Sequence, residues 1–163
     1  MKTIVHAIDK VLIPVLGALM AGLVIVVTWQ VFSRYLLRAP SSYTEEIARF
    51  MLIWIGLLGA AYTYRTKMHL GLDLFTAKLT GAARMWAELF SALCVAGFAV
   101  IVMILGGVQL VSLIWELKQS SAALGIQVAF IYSVIPLTGA IITLYAVDAA
   151  LDSIAQHKQQ QEK

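Results

Sequence analysis

Two acids and one base at the start of a long apolar stretch have the residue types and the spacing for ionic chemistry. Glu45, Glu46 and Arg49 fall within two helical turns, and Glu45 stands four residues before Arg49, the favourable order for an ion pair on a helix. The fifteen residues after Arg49 carry no charge. Because unpaired charge in or near hydrocarbon is costly, one glutamate is expected to pair with Arg49, with Arg34, or with another protein chain.

These residues also have a simpler interpretation, a solvated helix start whose exposed pair contributes a few tenths of a kcal/mol. The structural or partner-binding role is favoured because the apolar part of this helix is otherwise short. Two other groups are candidates of the same kind. His69 and Asp73 are four residues apart and are expected to cap a surface helix rather than to catalyse a reaction. Trp54 is either a core residue or faces another subunit.

The remaining chemistry-bearing residues do not form a catalytic, cofactor or metal site. The three histidines, His6, His69 and His157, all lie outside the long apolar runs, which excludes paired haem ligands within them. The single cysteine, Cys94, excludes disulfides, thiol relays and cysteine-based metal sites. No Ser/His/Asp arrangement and no glycine-rich phosphate loop is present. The sequence therefore predicts a protein that is not an enzyme and has no cofactor of its own.

Composition decides the broad class. The chain has 163 residues, of which 61% are apolar and 13% charged, whereas soluble domains average about 45–50% and 25%. Such a chain is expected to be an all-α integral membrane protein. The uncharged runs predict one four-helix membrane domain over residues 1–163, with spans at about 11–33, 43–64, 86–115 and 127–147.

Local signals refine these spans. Ser42 and Glu45 have the spacing of a capping box, which predicts that the second helix begins there. Between the second and third spans, Leu72, Phe75 and Leu79 recur at helical spacing and predict a short helix on the membrane surface. A turn is expected at residues 120–125, so that the last helix begins near Gln127, and Pro136 is expected to kink that helix.

Lysine and arginine counts predict the orientation. Four spans place both termini and the second connection on one side, with eight basic residues, against four on the other side, which are Arg34, Arg38, Arg49 and Lys118. The positive-inside rule then puts both termini in the cytoplasm.

The centre of the bilayer is where a transporter with its own ion-coupled site needs an ionisable residue or a broken helix. Every acidic residue here stands at a helix end or in a connection, and Pro136 with the nearby glycines is only a weak indication of a broken helix. The chain is therefore expected to be a membrane scaffold without a transport site. Two alternatives, a small stand-alone oligomeric exporter and a four-helix membrane enzyme, would require ionisable or polar groups inside the spans, and these are missing.

The ordered motifs resemble one known family. They are SRY at 33–35, YTEEIARF at 43–50, GLLGAAYTYRTKMHLGLD at 56–73 and IPLTG at 135–139. This set is similar to the small (Q-type) membrane subunit of tripartite ATP-independent periplasmic (TRAP) transporters, and the resemblance covers almost the whole chain. In that family an aromatic residue and glutamates begin the second helix, and a basic turn leads to a histidine and an aspartate, matched here by His69 and Asp73. Tyr43 departs from the family, which more often has tryptophan.

The resemblance implies a non-catalytic subunit of the bacterial inner membrane. Such a subunit scaffolds a large membrane subunit, in which the substrate and sodium sites are expected to lie. A periplasmic binding protein delivers an organic acid, such as a C4-dicarboxylate, a keto acid or a sialic acid. No nucleic acid is an expected partner. Which acid is carried, and which helix faces meet the large subunit, does not follow from this sequence.

Overall fold

The computed structural model describes residues 2–37, 41–66 and 82–161. Within these ranges the chain is helical and contains no strand, and its one β-bridge joins Ser120 to Gln127. The elements are α1 (Lys2–Tyr35), α2 (Ser42–Arg65), α3 (Ala82–Phe98), a π-helical segment (Ala99–Gly106), α4 (Gly107–Glu116), α5 (Val128–Tyr132) and α6 (Val134–Gln161). The prediction of an all-α protein is confirmed.

Four helical stretches in the described residues are long and apolar enough to cross a membrane. We number them span 1 (Thr3–Tyr35), span 2 (Ser42–Arg65), span 3 (Met85–Glu116) and span 4 (Val128–Ala155). The prediction of four membrane-spanning helices is thereby confirmed. The predicted surface helix, with Leu72, Phe75 and Leu79, lies outside the described residues.

The first and last helices of the chain are longer than their uncharged runs. α1 begins at Lys2, so the polar residues before Val11 belong to the helix, and α6 continues to Gln161 through much of the polar end of the sequence. Lysine and glutamine are good helix formers, so a helix can continue after its uncharged run has ended. Hydropathy therefore marks the part of each helix that lipid surrounds and not the length of the helix itself.

The predicted capping box at the start of span 2 is wrong. Ser41, with φ −90° and ψ 106°, is the N-cap, and its side chain makes no capping hydrogen bond. Ser42 is already helical, so its hydroxyl is not at the N-cap position that a capping box requires. The Thr44 hydroxyl donates to the Ser41 carbonyl at 2.9 Å, and Glu45 is turned to Arg49.

Span 4 is interrupted where proline predicts it. α5 ends at Tyr132, Ser133 lies outside regular α-helix, and α6 begins at Val134. Pro136 has no N–H to donate to the carbonyl of Tyr132, four residues earlier, and a helix weakens at that point. The turn before this span also agrees with the prediction, since Gly125 has φ 68° and helix begins at Val128.

The four spans pack in the order 1, 2, 4, 3. Span 1 packs on span 2, span 2 on span 4, and span 4 on span 3, with a smaller contact between spans 1 and 4. Spans 1 and 3 do not touch each other within the described residues. Span 4 is the central member, since 33% of its most apolar stretch is buried, against 6% for span 1. One core cluster joins spans 1, 2 and 4 through Leu12, Leu58, Ala61, Val134 and Tyr145.

Spans 3 and 4 approach each other most closely at glycines. A methyl group at Gly139 would lie 2.7 Å from the Cβ of Met103, in the π-helical segment, and 3.1 Å from the carbonyl oxygen of Ala99. A methyl group at Gly107 would lie 3.0 Å from the Cδ of Pro136. Contacts this close leave no room for a larger residue, so the two helices meet backbone to backbone across the middle of the membrane domain.

Candidate functional site

The charged residues of the described chain collect at the two ends of the membrane domain. We call the end that carries residues 34–37, 41–46 and 116–128 the hairpin end. The opposite end, which carries residues 2–10, 65 and 148–161, is called the terminal end. Spans 1, 2 and 4 meet at the terminal end because Asp9 of span 1 contacts Arg65 of span 2 and Tyr145 of span 4.

Glu46 holds the loop between spans 3 and 4 at the hairpin end. Its Oε2 accepts hydrogen bonds from the Ser121 hydroxyl at 2.5 Å, the Ala123 amide at 3.0 Å and the Leu124 amide at 2.9 Å. Ser121 is buried, and its hydroxyl oxygen also accepts from the Leu124 amide. Three convergent donors on one carboxylate oxygen stabilise its charge and the shape of the loop together. Glu46 is therefore partnered within this chain.

Glu45 and Arg49 form the expected ion pair, with the Arg49 guanidinium donating to Glu45 Oε1 at 3.1 Å. Both side chains are exposed, Arg49 at 66% and Glu45 at 61%. A pair this open gains little in the isolated chain, because solvent screens both charges. The geometry leaves the Glu45–Arg49 pair available to another surface.

Arg34 lies at the end of span 1 beside the start of span 2. It is exposed, and its guanidinium stands 5.8 Å from the centre of the Tyr35 ring, a cation–π distance. Arg34 and Glu45 line a common cleft of about 340 Å³ together with Gln30, Ser41 and Ser42. The hairpin end thus presents charged groups of both signs around one small polar recess.

Trp54 packs inside the chain. Its indole N–H donates to the carbonyl of Ile131 at 3.1 Å, at the end of α5 where span 4 is interrupted. The side chain is half-buried and packs against the core cluster. Trp54 therefore makes core contacts within this chain, and its contact with another subunit stays a prediction.

The other two residues singled out from the sequence, His69 and Asp73, lie outside the described residues. Their role as a helix cap stays a prediction.

A charge network that joins three spans lies at the terminal end, among residues that the sequence did not single out. Arg65 Nε is 3.4 Å from Asp9 Oδ2, and one of its terminal nitrogens is 3.9 Å from Asp148 Oδ2. The Tyr145 hydroxyl donates to Asp9 Oδ1 at 2.6 Å, and the Arg65 guanidinium stands 5.9 Å from the Tyr145 ring centre. We call Asp9, Arg65, Tyr145 and Asp148 the Arg65 cluster. It joins three spans through side chains that are mostly buried.

Topology alone contains a signal for this cluster. Asp9 precedes the first apolar run, Arg65 follows the second and Asp148 follows the fourth, so four antiparallel spans bring all three to one end. A further contact joins span 3 to the same end, because the Ser153 hydroxyl donates to Glu88 Oε2 at 2.9 Å. Charged residues at span ends on the same side of the membrane are thus good candidates for pairing, even when they are far apart in the sequence.

Between these ends the described spans offer little chemistry. No group of three or more histidine, cysteine or carboxylate side chains that could hold a metal ion occurs within residues 2–37, 41–66 and 82–161. Span 2 has no charge between Arg49 and Arg65, and span 3 has none between Glu88 and Glu116. The charged contacts at the terminal end hold helices together, and those at the hairpin end leave an exposed surface.

Comparison with known proteins agrees with this picture. Residues 23–156, most of the chain, match the family described as tripartite ATP-independent periplasmic transporters, DctQ component. The chain is 33% identical over 86 residues to the sialic acid TRAP transporter small permease protein SiaQ of Vibrio cholerae, covering 52% of this chain and 47% of that protein. It is 32% identical over 79 residues to a putative TRAP transporter small permease protein of Haemophilus influenzae, covering 48% and 49%.

The matched region spans about half the length of each of these two relatives. The family match is broader than either pairwise match and includes spans 2, 3 and 4 in full and the C-terminal part of span 1. With its helical membrane architecture, the chain therefore belongs to the DctQ component family, the small membrane subunits of TRAP transporters.

Proposed function

We propose that this chain is a non-catalytic scaffold that enlarges the static part of a TRAP transporter. The observation that carries the proposal is the lack of charge in the centre of the described spans, combined with the family match. Coupling a substrate to an ion gradient requires charged or irregular backbone groups shielded from lipid near the bilayer centre. The large membrane subunit is the partner expected to supply these groups, together with the sodium sites. This chain would then require no cofactor.

The orientation forms part of the same proposal. The terminal end faces the cytoplasm of a bacterial inner membrane and the hairpin end faces the periplasm. Basic residues support this orientation, since eight belong to the terminal side and four to the hairpin side. The periplasmic binding protein would dock at the hairpin end. There the loop held by Glu46 and the cleft beside Arg34 are adjacent to the exposed Glu45–Arg49 pair.

The cargo in this proposal is an organic acid. A sialic acid is one candidate because the name of the Vibrio cholerae relative includes that substrate. A C4-dicarboxylate is another candidate for this class of transporter. Selectivity would lie in the binding protein and the large subunit, since the described part of this chain assembles no site for a carboxylate at the membrane centre.

Reconstitution into liposomes with an inward sodium gradient tests the function. The chain alone is expected to take up no labelled organic acid, whereas the large subunit with the binding protein is expected to need this chain for uptake. A matched control uses the same complex without a sodium gradient. Sodium-dependent uptake by the purified small chain, or full activity in its absence, would refute the scaffold.

Cysteine labelling tests the orientation separately. In a Cys94→Ala background, Arg38→Cys and Lys118→Cys should react with an impermeant thiol reagent in cells whose outer membrane alone is permeabilised. His69→Cys and Gln160→Cys should react only after the inner membrane is opened. Labelling of the 69 and 160 variants in intact inner membranes, without labelling at 38, would reverse the orientation.

A further inference from the structure

Spans 3 and 4 both depart from regular α-helix at the same level of the membrane domain. In span 3 the irregular segment is the π-helix Ala99–Gly106, which is eight residues long, whereas π-helix mostly occurs as a single turn. In span 4 it is the interruption at Ser133, followed by Pro136. The close approach of Gly139 to the π-helical segment, and of Gly107 to Pro136, places the two irregular segments opposite each other. Proline and π-helical turns are the usual sites of sharp helix bends.

The part of spans 3 and 4 on the hairpin side of these segments forms a unit of its own. We call α4, α5 and the turn between them, residues 107–132, the arm. The Trp115 and Phe130 rings, one from each helix of the arm, meet edge to face with their centres 5.5 Å apart. The β-bridge between Ser120 and Gln127 closes the turn. Because these contacts join the two helices of the arm, we expect them to move together.

The arm is attached to the rest of the domain at few places. Among the described helices, α4 packs on neither span 1 nor span 2, and α5 packs on span 2 but not on span 1. Two side chains of span 2 hold the arm, since Glu46 accepts three hydrogen bonds from its turn and Trp54 donates to the carbonyl of Ile131. The terminal-end half of spans 3 and 4 is fixed separately, by the Ser153–Glu88 hydrogen bond and by the Arg65 cluster.

We propose that the two irregular segments form one hinge, and that Glu46 and Trp54 hold the arm against span 2. Bending at the hinge uses points where the helical hydrogen bonding is already irregular. At Gly107 and Gly139 the helices meet without interlocking side chains, so they can pivot there without lifting ridges out of grooves. Without the two contacts from span 2, the arm swings while the terminal-end half keeps its place. The inference concerns the conformation of this chain and does not depend on the proposed transport function.

Distances between pairs of spin labels, measured by double electron–electron resonance in lipid nanodiscs, test the hinge. The labels are placed at exposed positions in a Cys94→Ala background. Val31→Cys with Leu117→Cys reports the position of the arm relative to span 1, and Val11→Cys with Phe90→Cys reports the terminal-end half. Ten residues of helix are about 15 Å long, so a bend of about 20° at the hinge moves position 117 by about 5 Å.

Removal of the two contacts from span 2 should release the arm. Glu46→Ala combined with Trp54→Phe removes the carboxylate and the indole N–H. The distance between labels 31 and 117 should then shift, or its distribution broaden, by about 5 Å, the displacement expected for an ordinary helix bend. The distance between labels 11 and 90 should not change. Glu45→Ala is the matched control at the neighbouring glutamate and should change neither distance.

A substitution at the hinge distinguishes bending there from motion elsewhere. Pro136→Ala restores an amide donor at the interruption of span 4. Since the two helices of the arm move together, stiffening one of them should reduce the shift in the released variant by at least half. Leu137→Ala, one residue further along, changes no backbone donor and should leave the shift as it is.

Three results would overturn the proposal. The first is an unchanged distance between labels 31 and 117 in the released variant. The second is an equal change in both label pairs, since that would reflect general loosening of the fold. The third is a shift that Pro136→Ala leaves undiminished, because the motion would then lie outside the hinge.

Discussion

Two groups of charged residues at opposite ends of the domain have similar contact distances and very different surroundings. At the hairpin end, Arg49 and Glu45 approach to 3.1 Å with side chains 66% and 61% exposed. At the terminal end, Arg65 and Asp9 approach to 3.4 Å, with Arg65 36% and Asp9 19% exposed, and Asp148 beside them is only 4% exposed. Judged by distance alone, the exposed Glu45–Arg49 pair would contribute more to stability. Burial reverses this expectation, because solvent screens the charges of the exposed pair and hardly reaches Asp148.

The two ends also differ in what their charges hold. The Arg65 cluster joins side chains of three different spans, so it determines how helices sit beside one another. Glu46 instead binds backbone amides of one loop, so it determines the shape of a connection. Substitutions at the terminal end therefore test the stability of the helix assembly, whereas substitutions of Glu46 test the shape of one loop.

The largest expected effect belongs to the Arg65 cluster. Arg65→Ala leaves Asp9 and Asp148 without their cation, and should lower the free energy of unfolding by about 2–3 kcal/mol. This is below the range of about 3–5 kcal/mol for a fully buried pair because Arg65 is partly exposed. Denaturant-induced unfolding in mild detergent measures it. Arg65→Lys, which keeps the charge, should lose less, and a loss no larger than that of Arg49→Ala would contradict the contrast between the ends.

The next effect is local to the hairpin end. Glu46→Ala removes the acceptor shared by Ser121, Ala123 and Leu124, so hydrogen exchange at the Ala123 and Leu124 amides should become faster by about tenfold. Exchange in the middle of the spans should not change. Glu45→Ala is the matched control and should leave the two amides protected. Unchanged exchange after Glu46→Ala would mean that the loop keeps its shape without the carboxylate.

The smallest effect is expected for Arg49→Ala in the isolated chain. Its exposed partner is hydrated in any case, so the change in the free energy of unfolding should stay below about 0.5 kcal/mol. Yield of the complex with the large subunit and binding protein separates the two interpretations of this pair. A greater loss for Arg49→Ala than for Lys118→Ala would place Arg49 at an interface, and equal small losses would make it a solvated helix start.

The sequence predicts the all-α membrane class, the number of spans and the turn before span 4. Each of these depends on properties of residues that are neighbours in the chain. Uncharged runs report what lipid can surround, and Gly125 and Pro136 act within one turn of themselves. The Glu45–Arg49 pair belongs to the same kind of signal, since its members are four residues apart. The predicted capping box was wrong because Ser41 rather than Ser42 is the N-cap, and the Ser41 side chain makes no capping hydrogen bond.

The contacts that span the domain could not be predicted in this way. Asp9 and Tyr145 are 136 residues apart, and Glu46 and Ser121 are 75 apart, so their pairing depends on which spans are neighbours. Helix order in a membrane is set by how the helix surfaces pack, which hydropathy does not report. The π-helical segment from Ala99 to Gly106 was missed for a related reason: its uniformly apolar residues give no local sign of altered hydrogen bonding.

The order 1, 2, 4, 3 gives the domain an elongated cross-section, with spans 1 and 3 at its far edges. Because span 1 also contacts span 4, two steps of about 8–10 Å separate the axes of spans 1 and 3, which therefore lie at most about 20 Å apart in the plane of the membrane. If a body of this shape tips along its length, it drives the polar end of one edge helix into hydrocarbon and lifts the other out, which the bilayer resists. Rotation of the domain about the long axis of its cross-section moves the polar ends of spans 1 and 3 far less. In the proposed scaffold role, the chain would resist the tilt of an attached subunit mainly along its own long direction in the membrane plane.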